Sequence, residues 1–150
     1  SWIEETGIRS RCHLLGLRDD VPKVTAAGDI ACLSSCGEAF PNVVSEAMSC
    51  CVPCVVTDVG DAALIVGETG LVVPPKNPAA LAEAWRKMLD LGPEGRNRLG
   101  MAARERVKEK FSISQIVNRY QDLYEELHSS GPEKIRSGGH FFGRFRTRSS

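Results

Sequence analysis

The stretch Ser34-Ser35-Cys36-Gly37-Glu38-Ala39-Phe40-Pro41-Asn42-Val43-Val44-Ser45-Glu46-Ala47-Met48 decides how this chain is read. It follows an apolar run of strand length, Ile30 to Leu33, and passes through a glycine-containing loop into a helical pattern, Asn42 to Cys51. Proline suits a first helical position and asparagine a cap, so the helix is expected to open at Pro41 or Asn42. In a parallel α/β sheet such a loop sits at the carboxyl edge, where ligands bind. Unpaired backbone N–H groups and the positive end of the helix dipole meet there, which favours phosphate. Two carboxylates bracket this place. Glu38 lies before the helix, and Glu46 lies about one turn inside it with a side chain that leans back toward the N-terminus. Carboxylates beside a phosphate make sense as acceptors for sugar hydroxyls while backbone amides hold the phosphate. One acid on each side of a diphosphate can address two sugars, a transferred sugar and a ribose.

Outward from this stretch, short apolar runs alternate with helical patterns, the signature of βα units and a parallel sheet. Cys12 to Leu15 reads as a short strand ending at Gly16. Val21 to Ala27 reads as a helix that Asp19 or Asp20 could cap. Cys54 to Thr57 is a further strand, Asp58 to Asp61 a turn into a short helix around Ala62 to Val66, and Leu71 to Val73 a strand stopped by Pro74 and Pro75. Beyond that the pattern is helical. Leu81, Trp85, Met88 and Leu89 fall on one face of a helix starting near Pro78, and Leu99, Ala102, Ala103 and Val107 do so in the next. Ile113, Ile116, Val117, Tyr120, Leu123, Tyr124 and Leu127 form the longest stripe. All three stripes read as core or docking faces. From Ser129 the chain turns polar and Gly/Ser/Arg-rich, so residues 129–150 are expected to be a disordered basic tail, with residues 1–128 the folded part.

Composition bounds the function. A length of 150 residues fits one domain. With 25% charged residues and zero formal net charge, nothing in the total argues for nucleic acid or an acidic polymer as partner. No apolar run approaches the roughly 20 residues that span a bilayer, and no signal pattern opens the chain. The six cysteines (Cys12, Cys32, Cys36, Cys50, Cys51, Cys54) lie among apolar neighbours and read as buried reduced thiols. Cys51-Val52-Pro53-Cys54 spells a C-x-x-C, but it leaves a helix and enters a strand, whereas a redox pair precedes a helix whose N-terminus lowers the thiol pKa. His13 has no nucleophile and orienting acid around it and reads as structural. The interleaved aromatics and arginines of Phe141 to Arg148 permit membrane-surface or nucleic-acid contact, though a tail without a binding role is the simpler reading. The start at Ser1-Trp2-Ile3-Glu4-Glu5 reads as the middle of a helix, and the chain is expected to be a fragment.

Glu38 and Glu46 resemble the Glu-x7-Glu motif of retaining glycosyltransferases built from two facing Rossmann-like domains (the GT-B fold), family 4 in particular. Gly37-Glu38-Ala39-Phe40-Pro41-Asn42, Glu46-Ala47-Met48, Pro53-Cys54-Val55-Val56-Thr57-Asp58-Val59-Gly60 and Glu68-Thr69-Gly70-Leu71-Val72-Val73-Pro74-Pro75 carry the likeness, and Phe111-Ser112 before the last helix extends it. It covers roughly residues 8 to 127. The resemblance implies an α/β fold, a Rossmann-like parallel sheet with flanking helices forming the C-terminal, donor-binding part of such an enzyme and truncated at its N-terminal side. It implies that Glu38 contacts the transferred sugar and stabilises positive charge near its anomeric carbon. Backbone amides around Phe40, Asn42 and Val43 would hold sugar and distal phosphate, with Gly37, Ala39 and Pro41 part of the same donor-binding loop. Glu46 would bind the ribose, and the turn Gly16-Leu17 would touch the base.

The implied donor is a nucleotide-diphosphate sugar, with no cofactor and no bound metal. The acceptor would be a lipid-linked or other saccharide, reached through an N-terminal domain, in glycolipid, polysaccharide or glycoconjugate synthesis. The expected location is cytoplasmic, with peripheral contact at the inner face of the membrane. Two departures from the family pattern stand out: Cys51 occupies a position usually small or glycine, and Asp61 stands where a second glycine often follows Gly60. Two further strands and a basic residue gripping the diphosphate are implied before Ser1, so Cys12 to Leu15 would lack a neighbour and the isolated chain is expected to be marginally folded and inactive. Two alternatives are a non-catalytic module that keeps the nucleotide-sugar contacts and, less favoured, a sugar-nucleotide epimerase, which would need a different phosphate and catalytic set.

Overall fold

A computed structural model describes residues 2–136, which divide into two compact units that meet in sequence between Val107 and Lys108. In the first unit the elements run α1 (Trp2–Glu5), α2 (Val21–Ala26), β1 (Ala31–Leu33), α3 (Asn42–Ser49), β2 (Cys54–Thr57), α4 (Ala62–Val66), β3 (Gly70–Val73) and α5 (Pro78–Asp90), followed by α6 (Gly92–Phe111). The strands pair in parallel in the order β1-β2-β3, with Ala31 opposite Cys54 and Cys54 opposite Gly70. Successive parallel strands need a crossover, and α3 and α4 supply the two.

The middle strand β2 is buried at all four positions, which is why Cys-Val-Val-Thr reads as a continuous rather than an alternating apolar run. Alternation along it divides the core. Val55 packs with Val73, Ala84 and Met88 under α5, whereas the Cys54 thiol, on the other face, lies 3.8 Å from the Val44 carbonyl of α3. Helix α3 buries Val44, Ala47 and Met48, and α4 buries Ala62, Ile65 and Val66. The fold is therefore an α/β parallel sheet with helices on both faces, as the sequence implies.

Helix α6 gathers the C-terminal ends of three other helices. Arg96 Nη1 donates to the Leu89 carbonyl of α5 at 3.2 Å, and its Nη2 pairs with Asp29 at 3.1 Å. Arg104 Nη1 donates to the Ser49 carbonyl of α3 at 2.8 Å. Arg106 reaches α4 twice, Nε to the Ile65 carbonyl at 2.8 Å and Nη2 to the Leu64 carbonyl at 2.6 Å. The last carbonyls of a helix have no partner within it and carry its negative pole, so guanidinium groups satisfy both requirements. The approach is close: a Cβ on Gly100 would run into the Cys51 carbonyl oxygen, so only glycine lets α6 pass there. Cys51 itself has φ +61°, the left-handed conformation that ends α3 and that explains why glycine or a small residue suits this position.

Several expectations are corrected. Cys12 to Leu15 forms no strand: it is irregular, Leu14 and Leu15 are exposed, and among the described residues no strand lies beside it to complete a ladder. Asp20 occupies the cap position of α2 but gives its carboxylate to Arg18 (2.6 Å) instead of the helix amides. The cysteines are not uniformly buried. Only Cys54 is buried among the described residues, Cys32 and Cys36 are exposed, and Cys12, Cys50 and Cys51 are intermediate. Cys32 lies on β1, whose outer side no strand covers among the described residues, and Cys36 lies in the following loop. On α5 the buried positions are Ala84 and Met88, Leu89 is exposed, and Trp85, partly exposed, donates its indole N–H to the Cys32 sulfur of β1 at 3.3 Å; on α6 Ala103 is buried and Ala102 exposed.

In the second unit α7 runs Ile113–Arg136, with the Ser112 hydroxyl accepting from the Gln115 amide at 3.4 Å as its cap. The helix continues through 129–136, where a disordered tail was expected; the Phe/Arg run lies outside the described residues. Its stripe is largely exposed, with Ile113, Tyr120 and Tyr124 open and Leu123 and Leu127 half-buried.

Candidate functional site

The loop from Ser34 to Pro41 and the first turn of α3 stand at the carboxyl edge of the sheet, directly after β1. Its two ends are held differently. At the start, the buried Thr57 hydroxyl, last in β2, donates to the Ser35 carbonyl at 2.7 Å and lies 3.4 Å from that of Leu33. At the end, Pro41 is buried and its carbonyl accepts from the Val44 amide at 3.0 Å, starting the helix. Pro41 takes the cap position with extended backbone and, among the described residues, no side chain caps α3. Asn42 is thus the first helical residue and not the cap. The leading amides of α3 have no partner within the helix and keep its positive pole directed at the edge.

Between these anchors the loop is open. Gly37, Glu38, Ala39 and Phe40 are exposed, and a Cβ added to Gly37 would meet no atom within 4 Å. Nothing in the chain's own packing demands glycine there. Glu38 accepts a 2.8 Å hydrogen bond from the Ser35 hydroxyl, which fixes one of its oxygens and leaves the carboxylate at the surface. Glu46 is exposed on α3 while Ala47 and Met48 beside it are buried, so it lies on the outward side of the helix. Asn42 and Val43 are exposed at the helix start. The structure therefore brings Gly37, Glu38, Ala39, Phe40, Pro41, Asn42, Val43 and Glu46 together on one loop and one helix. Leu17 is fully exposed, in a turn where Gly16 has φ +66°, and its link to the rest is α2, which packs on α3.

Three residues of this region escape a reading of the sequence as a site. Ser35 and Thr57 form the chain of bonds that ends on Glu38. Gly60, read as a plain turn residue, has φ +51°, and a Cβ there would run into the carbonyl oxygens of Ala39 and Glu38. Asp61 follows with φ −92°, a value open to any residue, and its amide donates to the Ala39 carbonyl at 2.9 Å. The aspartate in place of a second glycine therefore costs the backbone nothing.

The C-x-x-C pair is not a redox centre in this geometry. Burial pushes the Cys54 thiol up to about 12, so it stays neutral, and Cys51 and Cys54 stand on a helix end and a strand. Among the described residues no cluster of three or more His, Cys, Asp or Glu gathers to hold a metal, and no helix is long and apolar enough to cross a membrane.

A parallel sheet with helices on both faces and a helix opening at its carboxyl edge is the α/β arrangement in which ligands bind beyond the carboxyl ends of the strands. The family model described as glycosyl transferases group 1 matches residues 1–90, and the chain belongs to that family. It is 32% identical over 127 residues to an N-acetyl-alpha-D-glucosaminyl L-malate synthase from Bacillus anthracis, a match covering 83% of this chain and 33% of that protein. Among solved structures, a sucrose-phosphate synthase from Thermosynechococcus elongatus superposes with a TM-score of 0.77 at 30% identity, over 87% of this chain and 33% of the other. Anabaena HepE, solved in complex with UDP and with UDP-glucose, gives TM-scores of 0.72 and 0.68 at 27% and 26% identity, over 85% of this chain and 35% of that one. The chain thus spans about a third of the length of these relatives.

Proposed function

We propose that the complete protein transfers a sugar from a nucleotide-diphosphate sugar to an acceptor with retention of anomeric configuration, as a family 4 enzyme, and that this chain supplies the donor-binding side. The observation that carries the proposal is the open Gly37–Glu46 stretch: an uncapped helix start with a surface carboxylate on either side of it. UDP and UDP-glucose bound to HepE support the donor class. In this reading Glu38 contacts the transferred sugar and stabilises charge near its anomeric carbon. Amides around Phe40, Asn42 and Val43, with Gly37, Ala39 and Pro41 shaping the loop, hold the distal phosphate and sugar. Glu46 accepts from the ribose hydroxyls, and Leu17 lies against the base. The helix pole and amides carry the diphosphate charge, so transfer proceeds without a bound metal. The acceptor, a lipid-linked or other saccharide in glycoconjugate synthesis, is bound by the remainder of the protein, in the cytoplasm or at the inner face of a membrane.

The isolated 150 residues are expected to turn over no donor, because the opposing wall of the site lies outside them. The test is to incubate the full-length protein and the isolated chain with UDP-, GDP- and ADP-sugars and an acceptor panel, reading the product's anomeric configuration by NMR. A retained anomer from the full-length protein alone supports the proposal. An inverted product, or turnover by the isolated chain, contradicts it.

A further inference from the structure

Thr57, the last residue of β2, and the turn that follows it, Asp58 to Asp61, touch the Ser35–Phe40 loop at Ser35, Glu38 and Ala39. Thr57 ties the Ser35 carbonyl, and Ser35 in turn donates to Glu38. Gly60 lies against the carbonyl oxygens of Glu38 and Ala39 at a distance that leaves no room for a Cβ, and the Asp61 amide donates to the Ala39 carbonyl. The turn is itself braced. The Asp58 amide donates to the Val73 carbonyl of β3 at 2.8 Å, the Ala62 amide to the Val59 carbonyl at 3.1 Å, and Val59 is buried.

Peptide geometry gives these contacts a direction. In a planar trans peptide the C=O of one residue and the N–H of the next point opposite ways. With the Glu38 and Ala39 carbonyls turned toward Gly60 and Asp61, the following amides, Ala39 N–H first, are turned to the opposite side of the loop. Thr57, just before that turn, acts through Ser35, whose hydroxyl holds one oxygen of the Glu38 carboxylate.

We infer that Thr57, Gly60 and Asp61, with Ser35 as intermediary, are the positioning residues of the donor loop: Gly60 and Asp61 set the direction of its amides, and Thr57 and Ser35 set the carboxylate of Glu38. This rests on the donor-site reading above and adds residues to it. None of the four is required to touch the donor. The two arms separate kinetically, because a misdirected amide weakens the hold on phosphate, whereas a loose Glu38 lowers the chemical step.

The experiment uses the full-length protein. UDP, GDP and ADP are titrated calorimetrically, and the diphosphate that binds is used throughout, with its sugar derivative as donor. Ser35→Ala is expected to lower kcat about tenfold with donor KM unchanged within twofold. Thr57→Val should do the same and Thr57→Ser, which keeps the hydroxyl, should restore most of the loss. Gly60→Ala is expected to weaken diphosphate binding at least tenfold. If Gly60→Ala does not fold, Ser35→Ala and the Thr57 pair still decide, since Ser35→Ala and Thr57→Val remove a hydroxyl, Thr57→Ser keeps it, and none of the three adds bulk. Folded variants whose kcat and KM all stay within twofold of the parent overturn the inference. A parent that binds none of the three diphosphates overturns the donor-site reading itself.

Discussion

The two edges of the sheet are built in opposite ways. At the amino edge, where α3, α4 and α5 end, Arg104, Arg106 and Arg96 occupy terminal carbonyls, and Gly100 lets α6 close to van der Waals distance over Cys51. Helix-terminal carbonyls there are taken up by guanidinium groups, while Arg96 Nε is buried without a partner among the described residues. At the carboxyl edge the opposite holds: α3 opens without a side-chain cap, Glu38 and Glu46 stand at the surface, and Gly37 faces open space. The far end of α3 is fixed by arginine, whereas its near end carries no side-chain cap among the described residues; in the proposed function that near end is where the donor binds.

Substitutions at the two edges should therefore part company. The largest effect is expected for Glu38→Gln in the full-length protein, a loss of about 10²–10³ in kcat with little change in melting temperature, measured by steady-state kinetics and calorimetry. The amino edge should answer in stability. Gly100→Ala forces a methyl group into the Cys51 carbonyl and is expected to cost about 2–3 kcal/mol. Arg106→Ala, which uncovers two helix-terminal carbonyls, is expected to cost about 2 kcal/mol. Denaturant titration reads both, and donor KM should hardly move in either. If Gly100→Ala or Arg106→Ala impairs turnover without loss of stability, the division between the edges fails.

Smaller effects sharpen the same contrast. Cys51→Gly relieves a left-handed conformation and should stabilise by about 1 kcal/mol, visible as a higher denaturant midpoint. Cys54 gives a pH signature. Its thiol is raised to about 12 by burial from an ordinary value of 9.0, so the unfolded chain releases the proton first. Its contribution is complete below about pH 9 and is lost as pH rises toward 12, and Cys54→Ala should flatten that part of the stability profile. At neutral pH a thiol reagent should label Cys36 and Cys32 well before Cys54, a ranking that mass spectrometry checks.

Much of this was legible in the sequence because it is local. The apolar runs before the Gly37 loop and after Pro53, the stop at Pro74 and the helical periods all fall where β1, β2, β3 and the helices stand. The two acids and the helix start were legible for the same reason. What failed depended on partners distant in the chain. Cys12 to Leu15 has strand composition, but a strand is a pairing, and the described residues offer none. The cysteines of β1 and its loop looked buried only on the assumption that the edge is covered. Arg96, Arg104 and Arg106 drew no expectation, because nothing in their spacing reveals the carbonyls of Leu89, Ser49 and Ile65. Gly60 is the turn residue its setting implies, but its contact with Ala39 crosses about twenty residues of chain and so went unread. Long-range close approach leaves no local mark beyond the glycine itself.

The central claim is that the carboxyl edge receives the donor diphosphate and the amino edge does not. Amide chemical-shift mapping of the full-length protein during titration with UDP, GDP and ADP tests it most directly. The account predicts that the diphosphate that binds shifts the amides of residues 37–46 most, with those of residues 95–106 nearly unmoved. Saturable binding that leaves residues 37–46 unshifted would contradict it.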